Sequence, residues 1–211
     1  MSVLKTYFDK TYCINLERRP DRWSKVIVEF KKVGFFDDVT KYKAIDGKEL
    51  DTSKFKHNPN LLLGELGVME THINIIREAK ESEFSSILIV EDDVQFTNEI
   101  NDLKGYMDSV PDNWDMIYFG GNHIYGKPPI KVNDKIIRLN KTVALQCVAI
   151  RNTVYDKILN LTRLRNKQID GYYADLHPVI NAYGFTPNMA VQTIDYSDIQ
   201  NKVVNYTNFF K

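Results

Sequence analysis

The sequence predicts an α/β fold, a mostly parallel central sheet flanked by helices, on three observations. Segments of helical periodicity alternate with short apolar runs over the first two-thirds of the chain. The run Ile87-Leu88-Ile89-Val90 is apolar at every position, as expected of a strand covered on both faces. Glycines and prolines, among them Gly34, Pro111 and Gly120-Gly121, fall at the joins between segments.

Taken in order, 11–16 reads as a first strand, and Pro20 opens a helix carrying Trp23, Val26, Ile27, Phe30 and Val33, closed by Gly34. A second strand is predicted over 39–45, with Asp46-Gly47 as its turn and a polar connector over 48–60. Leu66, Met69, Ile73, Ile76 and Ala79 place an amphipathic helix over 64–82, and 85–93 follows as the central strand. A helix over 98–110, a strand over 115–119, an exposed loop over 126–134 and a strand over 143–150 come next. Asn152 caps a helix bearing Val154, Ile158, Leu159 and Leu161, and a last helix is predicted over 172–183, with His177-Pro178 as a kink or break.

The 211 residues suit one domain spanning 1–211, and no internal repeat or linker interrupts them. Lys plus Arg and Asp plus Glu both number 28, which excludes the basic field of a nucleic-acid or anionic-lipid binder. No apolar run approaches the roughly 20 residues of a membrane span, and the N-terminus lacks the apolar core of a signal peptide. A cytoplasmic protein is therefore expected. Cys13 and Cys147 then read as buried free thiols, and the sequons at Asn140, Asn160 and Asn205 as chance.

Three groups of residues carry candidate chemistry. Glu91-Asp92-Asp93 follows the central strand at its carboxyl end, where open α/β sheets bind ligands. Strand alternation would direct Glu91 and Asp93 to one side and Asp92 to the other; adjacent carboxylates suit a cation such as Mg²⁺ or Mn²⁺, or a solvated acidic strand end in which Asp93 orders the next turn. Arg18, Arg19 and Arg22 crowd the loop and first helical turn after the first strand; they suit a diphosphate, or a surface loop in which they pair with Glu17 and Asp21. Gly64-Glu65-Leu66-Gly67 leads into Thr71-His72, whose histidine alone reads more readily as structural.

The order Ile14-Asn15-Leu16 with Arg18-Arg19 and Asp21-Arg22, Ala44-Ile45-Asp46-Gly47, Gly64-Glu65-Leu66-Gly67 with Thr71-His72, and Val90-Glu91-Asp92-Asp93-Val94 resembles glycosyltransferase family 25. That family includes lipooligosaccharide and collagen hydroxylysine galactosyltransferases. Ile169-Asp170, Gln192 and Ser197-Asp198-Ile199 extend the resemblance, which covers Tyr12 to Ile199. Val68 and Thr71 stand where the family has Cys and Ser.

The resemblance implies a Rossmann-like GT-A fold, a UDP-sugar donor, Mn²⁺ or Mg²⁺ on Glu91 and Asp93, and inverting transfer of a hexose, galactose or glucose, to a glycan or hydroxylysine-bearing protein. It places Asn15, Leu16 and Asp46 near the nucleotide. Arg18, Arg19, Arg22, Thr71, His72, Glu91, Asp92, Gln192 and Ser197 complete the expected donor side. Asp170 is the expected general base; a helix cap is the other role open to it. Trp114, Tyr118, Tyr172, Tyr173 and His177 supply rings suited to stacking on a sugar, or to the core, where most aromatics of such a chain belong. A non-catalytic sugar- or nucleotide-binding module on the same fold is the alternative. A metal-dependent nucleotidyltransferase is a third, although no Gly-rich phosphate loop precedes the first helix.

Overall fold

A computed structural model of the chain describes residues 3–123 and 127–205. In order, the elements are β1 (Lys10–Asn15), α1 (Pro20–Lys32), β2 (Val39–Lys43), α2 (Leu63–Glu81), β3 (Ser86–Glu91), β4 (Val94–Phe96), α3 (Leu103–Met107), β5 (Met116–Tyr118), β6 (Ile130–Lys131), β7 (Ile136–Arg138), β8 (Cys147–Arg151), α4 (Tyr155–Leu161), α5 (Ile169–Leu176), β9 (Ala182–Phe185), β10 (Ala190–Gln192), β11 (Asp195–Ser197) and β12 (Lys202–Val204). Pro20 is the first residue of α1, where its missing N–H costs no hydrogen bond.

Eight strands form the central sheet in the order β2-β1-β3-β8-β5-β9-β7-β6. β1 runs parallel to β2 and β3, and β5 parallel to β9, while β8 and β7 run against their neighbours. The predicted α/β architecture, a mostly parallel sheet between helices, is the one observed.

Alternation along the strands sorts the core into two layers. Tyr12, Ile14, Ile87, Ile89, Val148 and Ile150 face one side, where Met69, Ile73 and Ile76 of α2 and Ile158 of α4 cover them. Cys13, Leu88, Val90, Cys147 and Ala149 face the other, under Val26 and Phe30 of α1 and Leu103 and Tyr106 of α3. Cys13 is level with Val90, and Val90 with Cys147. Two strand spacings, roughly 9.5 Å, thus separate the two buried thiols, too far for a disulfide. Among the described residues no helix is long and apolar enough to cross a membrane.

Several elements depart from the sequence expectation. The helix predicted over 172–183 begins earlier, at Ile169, and ends at Leu176. A short 3₁₀ turn, His177–Val179, intervenes, and 182–185 is the strand β9 inside the sheet. Pro178 has no N–H to continue the helix, and Ala182 to Phe185 are buried at every position. The helix expected over 98–110 divides into a 3₁₀ turn, Asn98–Asp102, and the short α3. The 126–134 stretch contains β6 instead of loop alone, with Gly126 outside the described residues. Short strands β4, β7 and β10 pair with distant segments, β11 and β12 form a local hairpin, and each is too short to leave a periodicity to read.

Two motifs read separately meet here. A Cβ on Gly67 would lie 2.5 Å from the Ile45 carbonyl oxygen and 2.7 Å from the Gly47 nitrogen, and one on Gly47 would overlap the Leu63 carbonyl. The Asp46-Gly47 turn is therefore packed backbone against backbone on the first turns of α2. Thr71 Oγ1 accepts a hydrogen bond from the Ile45 N–H at 2.9 Å and donates to the Gly67 carbonyl at 2.7 Å, which locks the contact. Gly67→Ala is expected to force the turn off the helix and lower stability by about 1–3 kcal/mol, seen as a reduced urea midpoint at unchanged slope.

Candidate active site

Parallel pairing places the carboxyl ends of β1 and β3 side by side, with Ile14 level with Glu91. Beside them opens a cleft of about 550 Å³ whose lining includes Leu16, Arg22, Thr71, Glu91, Asp92, Asp93, Asp170, Gln192 and Ser197. Nine of the expected site residues thus share one cavity although they lie up to 181 positions apart.

The acidic triplet is held from several directions. The Glu91 N–H donates to the Gln146 carbonyl at 3.0 Å, and Gln192 Nε2 donates to Glu91 Oε2 at 3.2 Å. The antiparallel pairing of β10 with β4 brings Gln192 there, and the Thr193 N–H donates to the Asp93 carbonyl at 2.9 Å. Asn15 Nδ2 donates to Asp92 Oδ2 at 2.6 Å. Arg22 spans the rest: Nη1 lies 3.0 Å from Asp92 Oδ1 and Nη2 2.6 Å from Asp93 Oδ2. The expected alternation of the three side chains is corrected. β3 ends at Glu91 and the chain turns at Asp92-Asp93, so both aspartates reach one guanidinium.

Burial dominates the electrostatics. It raises Glu91 to about 8, with repulsion from Asp93 added and the Arg22 charge opposing. Asp92 is raised to about 6 by burial, against the pull of Arg22 and Asn15. Asp170 is raised as well, by burial that outweighs hydrogen bonds from the Gly171 and Ala144 backbone N–H groups. It sits in the first turn of α5, whose capping residue is Gln168, so the cap role is not the one it plays. The Gly171 N–H lies 2.7 Å from Asp170 Oδ1. The Ala144 N–H reaches Asp170 from a residue in the left-handed region, φ +75°, two positions before the Gln146 carbonyl that holds Glu91.

Other expected residues sit elsewhere. Asn15 is buried beneath Asp92. Arg18, Arg19 and Asp46 do not line this cleft: Arg18 pairs with Asp46 and Asp198, and Arg19 with Asp198 and Asp21. Arg18 and Asp46 border a neighbouring cleft along β2 that shares Leu16 and Ala44 with the first. His72 is fully buried with Nδ1 3.1 Å from the Tyr173 hydroxyl, so the expected ligand contact is replaced by packing, and burial lowers its pKa to about 4.

The expected stacking rings are also corrected. Tyr118, Tyr172, Tyr173 and His177 are core residues, Trp114 packs on the Arg151 guanidinium at 4.2 Å, and among the described residues no aromatic side chain lines the cleft. Sequence reasoning missed Asn122, Ala144 and Gln146. Asn122 follows Gly120-Gly121 at a strand end and carried a weak signal; Ala144 and Gln146 carried none, because their backbone groups do the work.

Comparison with known proteins identifies the class that this sheet edge and its acidic cleft suggest. The family model described as glycosyltransferase family 25 (LPS biosynthesis protein) matches residues 8–203, and the chain belongs to that family. The expected α/β class, a mostly parallel sheet flanked by helices, is the one adopted. Mouse procollagen galactosyltransferase 2 is 28% identical over 153 residues, covering 64% of this chain and 24% of that protein. The procollagen lysyl hydroxylase and glycosyltransferase of Acanthamoeba polyphaga mimivirus is 24% identical over 221 residues, 94% of this chain and 25% of that protein. The chain therefore spans about a quarter of the length of the curated relatives it matches. Among solved structures, A197 from STIV aligns over 93% of this chain and 94% of that one at 11% identity and a TM-score of 0.47.

The raised Glu91 pKa makes stability depend on pH with a definite sign. Between the ordinary carboxylate range and about 8, the unfolded chain ionises Glu91 while the folded chain resists, so stability falls as pH rises through that window. In metal-free buffer, Glu91→Gln is expected to be more stable than the parent at pH 8.5 by roughly 1–2 kcal/mol, a figure discounted for partial exposure to the cleft, with the gain shrinking by pH 5. Urea unfolding at both pH values measures it; an equal gain at both would place the Glu91 pKa near its ordinary value.

Proposed function

We propose that residues 1–211 form one transferase domain that moves a hexose, galactose or glucose, from a UDP-sugar to a hydroxyl group on a glycan or hydroxylysine-bearing protein, with inversion at the anomeric carbon. The observation that carries this reading is the meeting, in one cleft, of the acidic triplet at the end of β3 with Asp170 on α5. Membership of the family supports it, as do relatives named procollagen galactosyltransferase. A cytosolic setting accompanies the reading, consistent with two thiols placed too far apart to pair.

The donor set of the triplet fits a hard divalent cation, Mn²⁺ or Mg²⁺. All its atoms are oxygens, and Asp93 Oδ1 is buried without a hydrogen-bond partner. Among the described residues no three acidic, histidine or cysteine side chains converge as a ready cage. Such ions typically take one or two carboxylates and complete their shell with substrate phosphates and water. Glu91 and Asp93 would hold the ion, which when bound supplies positive charge beside a leaving diphosphate.

In the reaction, Asp170 accepts the proton of the acceptor hydroxyl as that oxygen bonds to the anomeric carbon. The bond from this carbon to the nucleotide breaks on the opposite face, and UDP departs with the electron pair. The raised pKa of Asp170 makes it a stronger base than a solvated aspartate.

Neutralising the two carboxylates at nearly constant shape separates their roles. Asp93→Asn is expected to lose both metal-dependent UDP binding, measured by calorimetry, and transfer, measured by product formation in a screen of UDP-sugars. Asp170→Asn is expected to keep UDP affinity and lower turnover by roughly 10²–10⁴-fold. Transfer by Asp170→Asn at the parental rate would assign the base to another carboxylate. Equal UDP affinity before and after chelation of divalent ions would remove the metal from the reaction, and UDP-sugar binding without any transfer or hydrolysis would favour the non-catalytic module.

A further inference from the structure

The charge on the cleft wall is one-sided. Glu65, Glu91, Asp92, Asp93, Asp170 and Asp198 line it, and Arg22 is the one cation among its described lining residues. Arg18 and Arg19, the other basic residues of the first loop and helix start, lie outside the lining and are each held by two carboxylates, Asp198 of the cleft wall together with Asp46 for Arg18 and Asp21 for Arg19. A diphosphate entering this cleft therefore meets a single guanidinium, and that group already spans Asp92 and Asp93.

The geometry leaves Arg22 half used. A guanidinium offers five N–H donors in a flat fork, and here one Nη faces each aspartate while Nε is buried with no hydrogen-bond partner. Asp93 Oδ1 is buried and without a hydrogen-bond partner in the same way. The fork that fits two carboxylates fits two phosphate oxygens equally well. Arg22 is the third residue of the 13-residue α1, beside free helix N–H groups that favour an anion. A divalent ion on Asp93 would stand within a few ångströms of the guanidinium and repel it.

We infer that Arg22 is the exchangeable counter-ion of the acidic triplet: a divalent cation takes its place on Asp93 as the guanidinium passes to the donor diphosphate. The inference rests on the metal-dependent reading of the same site and adds the order it imposes. Cation alone competes with Arg22 and binds weakly; cation and nucleotide together each remove the obstacle to the other, so their binding is cooperative through one side chain. Arg22 thereby acts as a positioning residue in donor capture.

Calorimetry of Mn²⁺ binding, with and without UDP, tests this on the parent, Arg22→Gln and Arg22→Lys. Arg22→Gln is expected to bind Mn²⁺ alone at least 10-fold more tightly than the parent, while the gain that UDP adds to Mn²⁺ affinity shrinks. Arg22→Lys keeps a charge but cannot bridge both carboxylates, so it is expected to lie between the two; it carries the test if the glutamine variant does not fold. If the parent binds Mn²⁺ with UDP but neither variant binds Mn²⁺ alone more tightly, Arg22 is a fixed clamp and the exchange is overturned. If the parent binds UDP yet takes up no Mn²⁺ even with saturating UDP, the metal-dependent reading itself fails.

Discussion

Ionised carboxylates at the end of a strand covered on both faces are costly unless charge and hydrogen bonds surround them, and the site is organised around meeting that demand. Arg22 provides the charge from the first turn of α1, and Asn15 provides a donor from the end of β1. Gln192 comes from β10, a strand whose pairing with β4 continues directly from the acidic turn. Four segments distant in sequence are thus fixed relative to one another because three adjacent acidic residues must be accommodated. The compensation is incomplete: Glu91 stays raised to about 8, and buried atoms of Arg22, Asp93 and Asn15 lack partners. Incomplete satisfaction at a concave sheet edge is what a site kept for a ligand looks like, rather than a site finished for stability.

A second constraint shapes the other side of the cleft. Asp170 and Glu91 sit on different elements, yet both are tied to one short segment, Asp170 through the Ala144 N–H and Glu91 through the Gln146 carbonyl. Ala144 reaches Asp170 only by adopting a left-handed backbone, which is unfavourable for a residue with a Cβ. The segment itself is anchored by the Asn122–Val143 bridge and by the Thr142 N–H on buried His177. His177, Tyr118 and Tyr173, which the sequence offered as sugar-stacking rings, are instead tied into the core, His177 to Tyr118 and Tyr173 to His72.

The glycine-bearing motifs follow the same logic of close approach. Gly47 and Gly67 allow the turn after β2 to lie on α2 with no side chain between them, and Thr71 fastens the contact. This sets the height of Ala44 and Val68 in the cleft lining. Without that contact, α2 would stand away from the ends of β1 and β2 and the cleft would widen.

The sequence by itself determined the alternation of strands and helices, the central place of Ile87 to Val90, and the position of Glu91-Asp92-Asp93 at its carboxyl end, because burial on both faces and strand termination are local properties. It also carried the family motifs in order. The tertiary structure alone decided what those motifs touch. Arg22 faces the aspartates rather than solvent, His72 turns into the core, and the segment expected as the end of a helix becomes the strand β9, because packing across the sheet overrides the short-range pattern of 172–183. Backbone groups such as the Ala144 N–H and the Gln146 carbonyl are the same in every residue type, so no sequence pattern marks them, and their roles exist only once the chain has closed around the cleft.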